Sequence, residues 1–224
     1  MGFLLDSCTL KPFNQEIIDA CQPFDCDHQD LNDFFTNDVD NYSTELLGKT
    51  YCFTLDADPT IIVCAFTISN DSIKTTHLPN SRKKRVIKEI PRPKHMRSYP
   101  AVLIGRLGVH KDYRNIVGET DNTGKQLMDF IKSWFIDGAN KTGCRFIVVD
   151  SYNEPRALRY YAKNGFEGLF TTEEQEREFT GMKSVLNERQ IFYNRVRKFF
   201  KLPLIEIEKL SSRLMFFDLI VLKK

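Results

Sequence analysis

The chain has 224 residues, 42% hydrophobic and 28% charged, with a formal net charge of +2. A chain of this length removes roughly 70% of its unfolded surface from water, and this composition excludes a fibrous or disordered polymer. No run reaches the ~18 apolar residues of a membrane span; the nearest, Leu214 to Leu222, carries Asp218.

The opening Met1-Gly2-Phe3-Leu4-Leu5-Asp6 lacks the cationic start and long apolar region of a secretory signal. Asp6 stands where a myristoylation site needs Ser or Thr. The cysteines at 8, 21, 26, 52, 64 and 144 are scattered, without a C-x-x-C pair. They read as reduced thiols of a cytoplasmic protein, with neither a disulfide framework nor a zinc site expected.

Charge is unevenly spread. Residues 1–48 hold ten acids and one lysine. Residues 82–97 hold eight cations (Arg82, Lys83, Lys84, Arg85, Lys88, Arg92, Lys94, Arg97) against Glu89. Such a local excess reads either as a polyanion-binding segment or as a solvated basic loop.

In chain order, Leu31, Phe34, Phe35, Val39, Tyr42 and Leu46 recur at helical spacing and predict an acidic amphipathic helix from about Asp30. Tyr51–Leu55 and Ile61–Ser69 are β-rich, and Asp56-Ala57-Asp58-Pro59 between them predicts a hairpin. A short helix over Ser81–Ile90 ends at the prolines that follow. Ala101–Val109 is a buried strand interrupted by Gly105 and Gly108, each marking a bulge or a close backbone approach. Thr123–Phe135 is a helix with Leu127, Ile131, Trp134 and Phe135 on one face, and Arg145–Asp150 is a short apolar strand.

Pro155 suits the first position of a further helix and Gly165 its end. An acidic start and a basic amphipathic helix with Phe192, Val196, Phe199 and Phe200 on one face precede a last strand, Leu214–Leu222. The alternation predicts a mixed α/β (α+β) fold. We expect one domain over 1–224, with a helical insertion at about 171–210.

The four histidines show no metal spacing, and no P-loop, Rossmann glycine fingerprint or G-x-S-x-G elbow is present. The informative stretch runs from Ala101 to Phe166. A strand there feeds a glycine-containing loop and then a helix N-terminus, flanked by Lys111, Arg114 and Lys125. Unpaired N–H groups and the helix dipole make such an arrangement a phosphate site, or it is a plain connecting loop.

Four segments resemble the GNAT superfamily of acetyl-CoA-dependent N-acetyltransferases: Leu103-Ile-Gly-Arg-Leu-Gly-Val109, Tyr113-Arg114 with the helix from Gly124, Arg145–Asp150, and Ala157-Leu-Arg-Tyr-Tyr-Ala-Lys-Asn-Gly-Phe166. Phe24–Cys26, Asp30–Phe34, Thr50–Thr54 and the segment Pro91–Arg106 resemble the branch containing the tRNA-acetylating toxins. The resemblance implies a central, mostly antiparallel sheet, splayed in the middle and flanked by helices. It implies acetyl-CoA as donor and no metal.

By the same resemblance, Leu107, Gly108, Val109, Arg114, Gly118, Thr123, Gly124 and Lys125 would hold the cofactor. The N–H groups near Gly108 and Val109 would lie on the thioester carbonyl. Asn153 would hold the pantetheine or serve as a turn residue, and Tyr161 would protonate the leaving thiolate. Arg106 would contact an anionic acceptor or be a structural arginine. Relative to the family pattern the phosphate loop is lengthened by about five residues and carries Glu119 and Asp121.

The function expected is transfer of an acetyl group to a primary amine. The toxin-like branch points to the amino group of an aminoacyl-tRNA, with Lys83, Lys84 and Arg85 on the acceptor. The alternatives are a small or protein amine as acceptor, or a non-catalytic interaction module. Expected partners are tRNA and an antitoxin or second copy, with no membrane.

Overall fold

A computed structural model describes residues 2–91, 98–116, 121–140, 142–182, 186, 188–205 and 209–223. Its contacts divide the chain into two compact units. The first comprises Met1–Ile73, Ser98–Val149 and Phe217–Lys224, and the second Lys74–Arg97 and Asp150–Phe216. The fold is mixed α/β, as expected, with a seven-stranded, mostly antiparallel sheet in the order β1-β2-β3-β4-β5-β7-β6.

In the first unit, α1 (Phe3–Asp6) and β1 (Cys8–Pro12) precede α2 (Gln15–Ala20), whose N-cap Asn14 accepts from Ile17 N. None of these three has a sequence pattern long enough to predict it. The helix expected from Asp30 forms as α3 (Gln29–Asp33), a π-helical stretch Phe34–Asp38 and α4 (Val39–Thr44). Leu31, Phe34, Phe35 and Val39 are buried, as the periodicity requires. The i→i+5 turn inserts an extra residue, yet Tyr42 still meets the Phe34 ring edge-on at 5.5 Å. Leu46, read as part of that face, lies past the helix end at φ 58° and is 90% exposed.

The predicted hairpin forms as β2 (Lys49–Leu55) and β3 (Ile62–Lys74), antiparallel, with Asp58 Oδ1 accepting from Thr60 N at 3.1 Å in the turn. The predicted central strand is longer than expected: β4 runs Ser98–Val109, and Pro100 is accommodated within it. Helix α6 (Thr123–Ile136) buries Leu127, Met128 and Ile131. Its Phe130 and Trp134 rings meet Phe53 and Tyr51 edge-on at 5.0 and 4.9 Å. Such pairs add about 0.5–1.5 kcal/mol each beyond the area they bury.

β5 (Phe146–Tyr152) and β7 (Ser212–Asp218) cross from one unit into the other. Near the crossing Arg145 Nη2 donates to Asp218 Oδ2 at 2.9 Å. The last strand was expected to reach Leu222. It stops at Asp218, whose side chain accepts from Ile220 N at 3.2 Å and caps a 3₁₀ turn over Leu219–Leu222.

In the second unit, α5 (Asn80–Ile87) precedes α7 (Pro155–Lys163), with Pro155 at its start and Gly165 at φ 81° just beyond its end. That left-handed position is one a glycine adopts without strain. β6 (Glu167–Gly168) pairs antiparallel with β7. Two helices, α8 (Glu173–Thr180) and α9 (Glu188–Phe199), lie between β6 and β7. Glu176, buried at the centre of this segment, accepts from Arg213 Nε at 2.6 Å and from Leu214 N.

Candidate functional site

β4 pairs with β5 in parallel from Ala101↔Phe146 to Ile104↔Val149. β4 then continues through Gly105, Arg106, Leu107, Gly108 and Val109, a stretch of strand backbone beyond that ladder. A Cβ on Gly108 would stand 3.1 Å from the Phe24 ring and 3.2 Å from Cys26 Cβ, so glycine is what lets the strand approach that wall. At Gly105 nothing lies within 4 Å of such a Cβ, so of the two glycines Gly108 is the one at a close approach. The strand end is anchored by His110 N donating to Val63 O and Lys111 N to Asp25 O, both at 2.9 Å.

His110 had no role in the sequence reading. Its Nδ1 accepts from Asp112 N at 3.3 Å, and its ring lies against Phe24 and Tyr113 at 6.0 and 5.6 Å. Burial pushes its pKa down, so it is neutral at pH 7. Arg106 lies over the Phe34 ring at 5.0 Å and donates to its neighbour Gly105 O at 2.9 Å. Its buried Nε has no hydrogen-bond partner among the described residues. The cation–π contact favours the structural reading of this residue.

The start of α6 is internally tied. Thr123 N donates to Arg114 O at 3.3 Å, and Thr123 Oγ1 donates to Tyr113 O. The N-cap Asn122 accepts from Lys125 N at 2.9 Å, and Gly124 is buried. Asn122 was not foreseen, although an Asn before an apolar-periodic run is a recognisable cap.

The flanking cations face acids. Lys111 Nζ is 2.8 Å from Asp25, Lys125 Nζ is 2.6 Å from Asp129 and 3.9 Å from Asp121, and Arg114 Nη1 is 3.5 Å from Asp27. Arg114 Nη2 also donates to Cys26 O. The hydrogen bond from Lys111, helped by Asp27 N and Asn32, holds the Asp25 carboxyl well below the usual carboxylate range. Gly118 lies outside the described residues.

Do these residues fit acetyl-CoA? The run of β4 beyond its ladder with β5 suits an extended amide-bearing chain, because strand backbone offers alternating donors and acceptors. Binding a diphosphate requires Lys111, Arg114 and Lys125 to exchange carboxylates for phosphate oxygens. The Lys111 and Lys125 pairs are about half exposed, and exposed pairs contribute only about 0–1 kcal/mol each, so the exchange is affordable. The group fits, with a tied phosphate end.

In the second unit, Tyr161 on α7 is half-buried, its ring edge-on to Phe166 at 5.4 Å and to Tyr160 at 5.1 Å. Burial first, and the Tyr152 hydroxyl second, push its pKa well above the ordinary phenol value. Asn153 Nδ2 donates to Leu210 O at 2.8 Å, and Asn153 N to Ser211 O at 2.9 Å. Its amide donor thus holds the segment before β7.

The basic segment divides. Arg82 Nε donates to Leu169 O at 3.3 Å and Arg82 Nη2 to Gly168 O, while Arg85 Nε donates to Glu167 at 3.1 Å. These two lock α5 onto β6. Lys84 and Lys88 are exposed and Lys83 half-buried, with no ion pair among the described residues. Arg92, Lys94 and Arg97 lie outside the described residues. Among the described residues there is no metal-ligating cluster of three, and no helix is long and apolar enough to cross a membrane.

The sheet order, the four-pair parallel ladder and the strand–loop–α6 connection define a GNAT-like fold. Solved structures with this fold extend over nearly the whole chain. KacT, as a tyrosine-to-phenylalanine mutant, is similar with a TM-score of 0.56 at 15% identity, covering 97% of this chain and 98% of KacT. AtaT complexed with acetyl-methionyl-tRNAfMet gives 0.56 at 15% identity, over 96% of this chain and 97% of that one. An AtaT mutant toxin bound to the C-terminus of the antitoxin AtaR and acetyl-CoA gives 0.53 at 14%, over 97% of each. No protein-family model and no curated protein matches the sequence.

Proposed function

We propose that the protein is an acetyl-CoA-dependent N-acetyltransferase whose acceptor is the amino group of an aminoacyl-tRNA. The observation that carries the reading is β4, which runs on from Gly105 to Val109 past its ladder with β5 and leads into α6. The fold it shares with AtaT, whose structures hold acetyl-CoA and acetyl-methionyl-tRNAfMet, supports the donor and the acceptor class.

Acetyl-CoA supplies a thioester, whose C–S bond breaks as the amine N–C bond forms, the nitrogen giving up its surplus proton to water. In this reading Leu107, Gly108 and Val109 offer backbone groups to the pantetheine and the carbonyl oxygen. Arg114, Thr123, Gly124, Lys125 and the loop containing Gly118 take the phosphates, and Tyr161 gives a proton to the departing thiolate. Lys83 and Lys84 meet the tRNA backbone. An antitoxin is the protein partner by analogy with AtaT, and the six free cysteines fit a cytoplasmic setting.

The experiment is thermal unfolding with and without acetyl-CoA. A ligand at 100 times its dissociation constant adds ~2.7 kcal/mol, which in a chain of this size raises the melting temperature by about 5–10 °C. Calorimetry should show one site. No shift and no heat would overturn the enzyme and leave an interaction module with this fold.

A further inference from the structure

Residues 24–27, between α2 and α3, lie in the same compact unit as the end of β4 and are fixed against it. Lys111 N donates to Asp25 O at 2.9 Å. The Phe24 ring and Cys26 form the wall that the glycine at 108 lets β4 approach. Asn32 of α3 ties the segment further: its Oδ1 accepts from Cys26 N and its Nδ2 donates to Asp25 Oδ1, both at 2.9 Å.

Arg114 meets this fixed segment with both arms of its guanidinium. Nη2 donates to Cys26 O, and Nη1 lies 3.5 Å from Asp27 Oδ2. The two acceptors differ. Cys26 is buried, and taking the donor from a buried carbonyl is costly. The Asp27 carboxylate is 65% exposed, and 3.5 Å is the long limit of a hydrogen bond. Water replaces the guanidinium there at little cost. A planar fork can keep one arm on a fixed oxygen while the other changes partner. Asp25 is differently placed, because Asp27 N at 2.8 Å and Asn32 Nδ2 hold its carboxylate in addition to Lys111. It is a strut of the segment, whereas the Asp27 carboxylate is a loose end.

We propose that Asp27 competes from within the chain with the diphosphate of acetyl-CoA for Arg114, and that Cys26 O is the pivot that keeps the guanidinium aimed. The inference rests on the acetyl-CoA reading above. In the free protein Nη1 faces Asp27. On binding, that arm passes to a phosphate oxygen while Nη2 stays on Cys26 O, so Asp27 sets the affinity and Cys26 O the direction. Both are positioning residues. Asp27 stands at φ 57°, a left-handed conformation that Asn adopts as well as Asp. Asp27→Asn therefore removes the charge and spares the backbone.

The test is calorimetric titration of the full chain with acetyl-CoA. Asp27→Asn should bind about two- to fivefold more tightly than wild type, the worth of an exposed ion pair. Loss of a merely structural contact does not tighten binding. Arg114→Gln should weaken it at least about tenfold. In that background Asp27→Asn should lose most of its gain, because no guanidinium is left to compete for. Asp112→Asn removes a neighbouring exposed carboxylate that faces His110, and should bind as wild type does. Wild-type binding without tightening by Asp27→Asn overturns this inference alone. So does an equal gain from Asp112→Asn, or a full gain in the Arg114→Gln background, since either makes the effect general repulsion of the anion. Acetyl-CoA that binds none of these proteins overturns the acetyltransferase reading, and this inference with it.

Discussion

Tyr161 can donate a proton and resists ionising. Its pKa is raised above the ordinary value of ~10 chiefly by burial, so it stays neutral through pH 10. Its contribution to stability is complete below pH ~10 and is lost only as pH rises through the higher folded value. Tyr161→Phe keeps the ring against Phe166 and Tyr160 and removes the proton. If the proposed role holds, turnover should fall ~10²–10⁴-fold with the acetyl-CoA melting shift retained and the pH–rate profile between pH 6 and 9 unchanged in shape. Wild-type turnover by the variant would make Tyr161 a packing residue. This tyrosine was legible because Y-x-x-x-G-F is local and its glycine is demanded by a left-handed turn at Gly165. The engagement of Arg114 with Cys26 and Asp27 was not legible. A side-chain partner more than eighty residues away leaves no periodic trace.

The α5–β6 clamp shows what a charge run conceals. Eight cations in sixteen residues look equivalent in sequence, yet Arg82 and Arg85 hold α5 to β6 through Glu167, Gly168 and Leu169. The hydrogen bond from Arg85 is the largest cause that lowers the Glu167 pKa. A depressed carboxylate contributes stability that is present above its unfolded value near ~4.3 and is lost as pH falls through the folded value. Glu167→Gln should therefore lower the urea midpoint at pH 7 and make little difference near pH 3. A deficit of equal size at both pH values would mean that packing, not charge, holds the clamp. Helix existence was legible from periodicity in α6 and from the prolines that follow in α5. The π-helical phase shift after Asp33 was not, because adjacent Phe34 and Phe35 satisfy an unbroken helix equally well.

Across the whole molecule, element order followed from alternating patterns, while the division into two units could not. Lys74–Arg97 joins Asp150–Phe216 from far away in sequence, and no local window records that. The net charge of +2 likewise conceals a distribution that now has assigned parts. Of the described cations in the basic segment, Lys83, Lys84 and Lys88 are those without an ion pair among the described residues, so they are the ones to test against tRNA. Reversing Arg85 would break the clamp and confuse folding with binding; reversing the three lysines leaves it intact. Each phosphate neutralised contributes a log–log salt slope of about −0.7 to −0.9. Wild-type tRNA binding should show a slope of roughly −3 if about four phosphates are met. Changing Lys83, Lys84 and Lys88 to Glu should weaken binding strongly and flatten that slope by about two. The acetyl-CoA melting shift and the melting temperature should stay near wild type. Unaltered tRNA affinity and slope in the triple variant would show these lysines to be solvated surface. Turnover flat with salt on the best acceptor would point instead to a small amine.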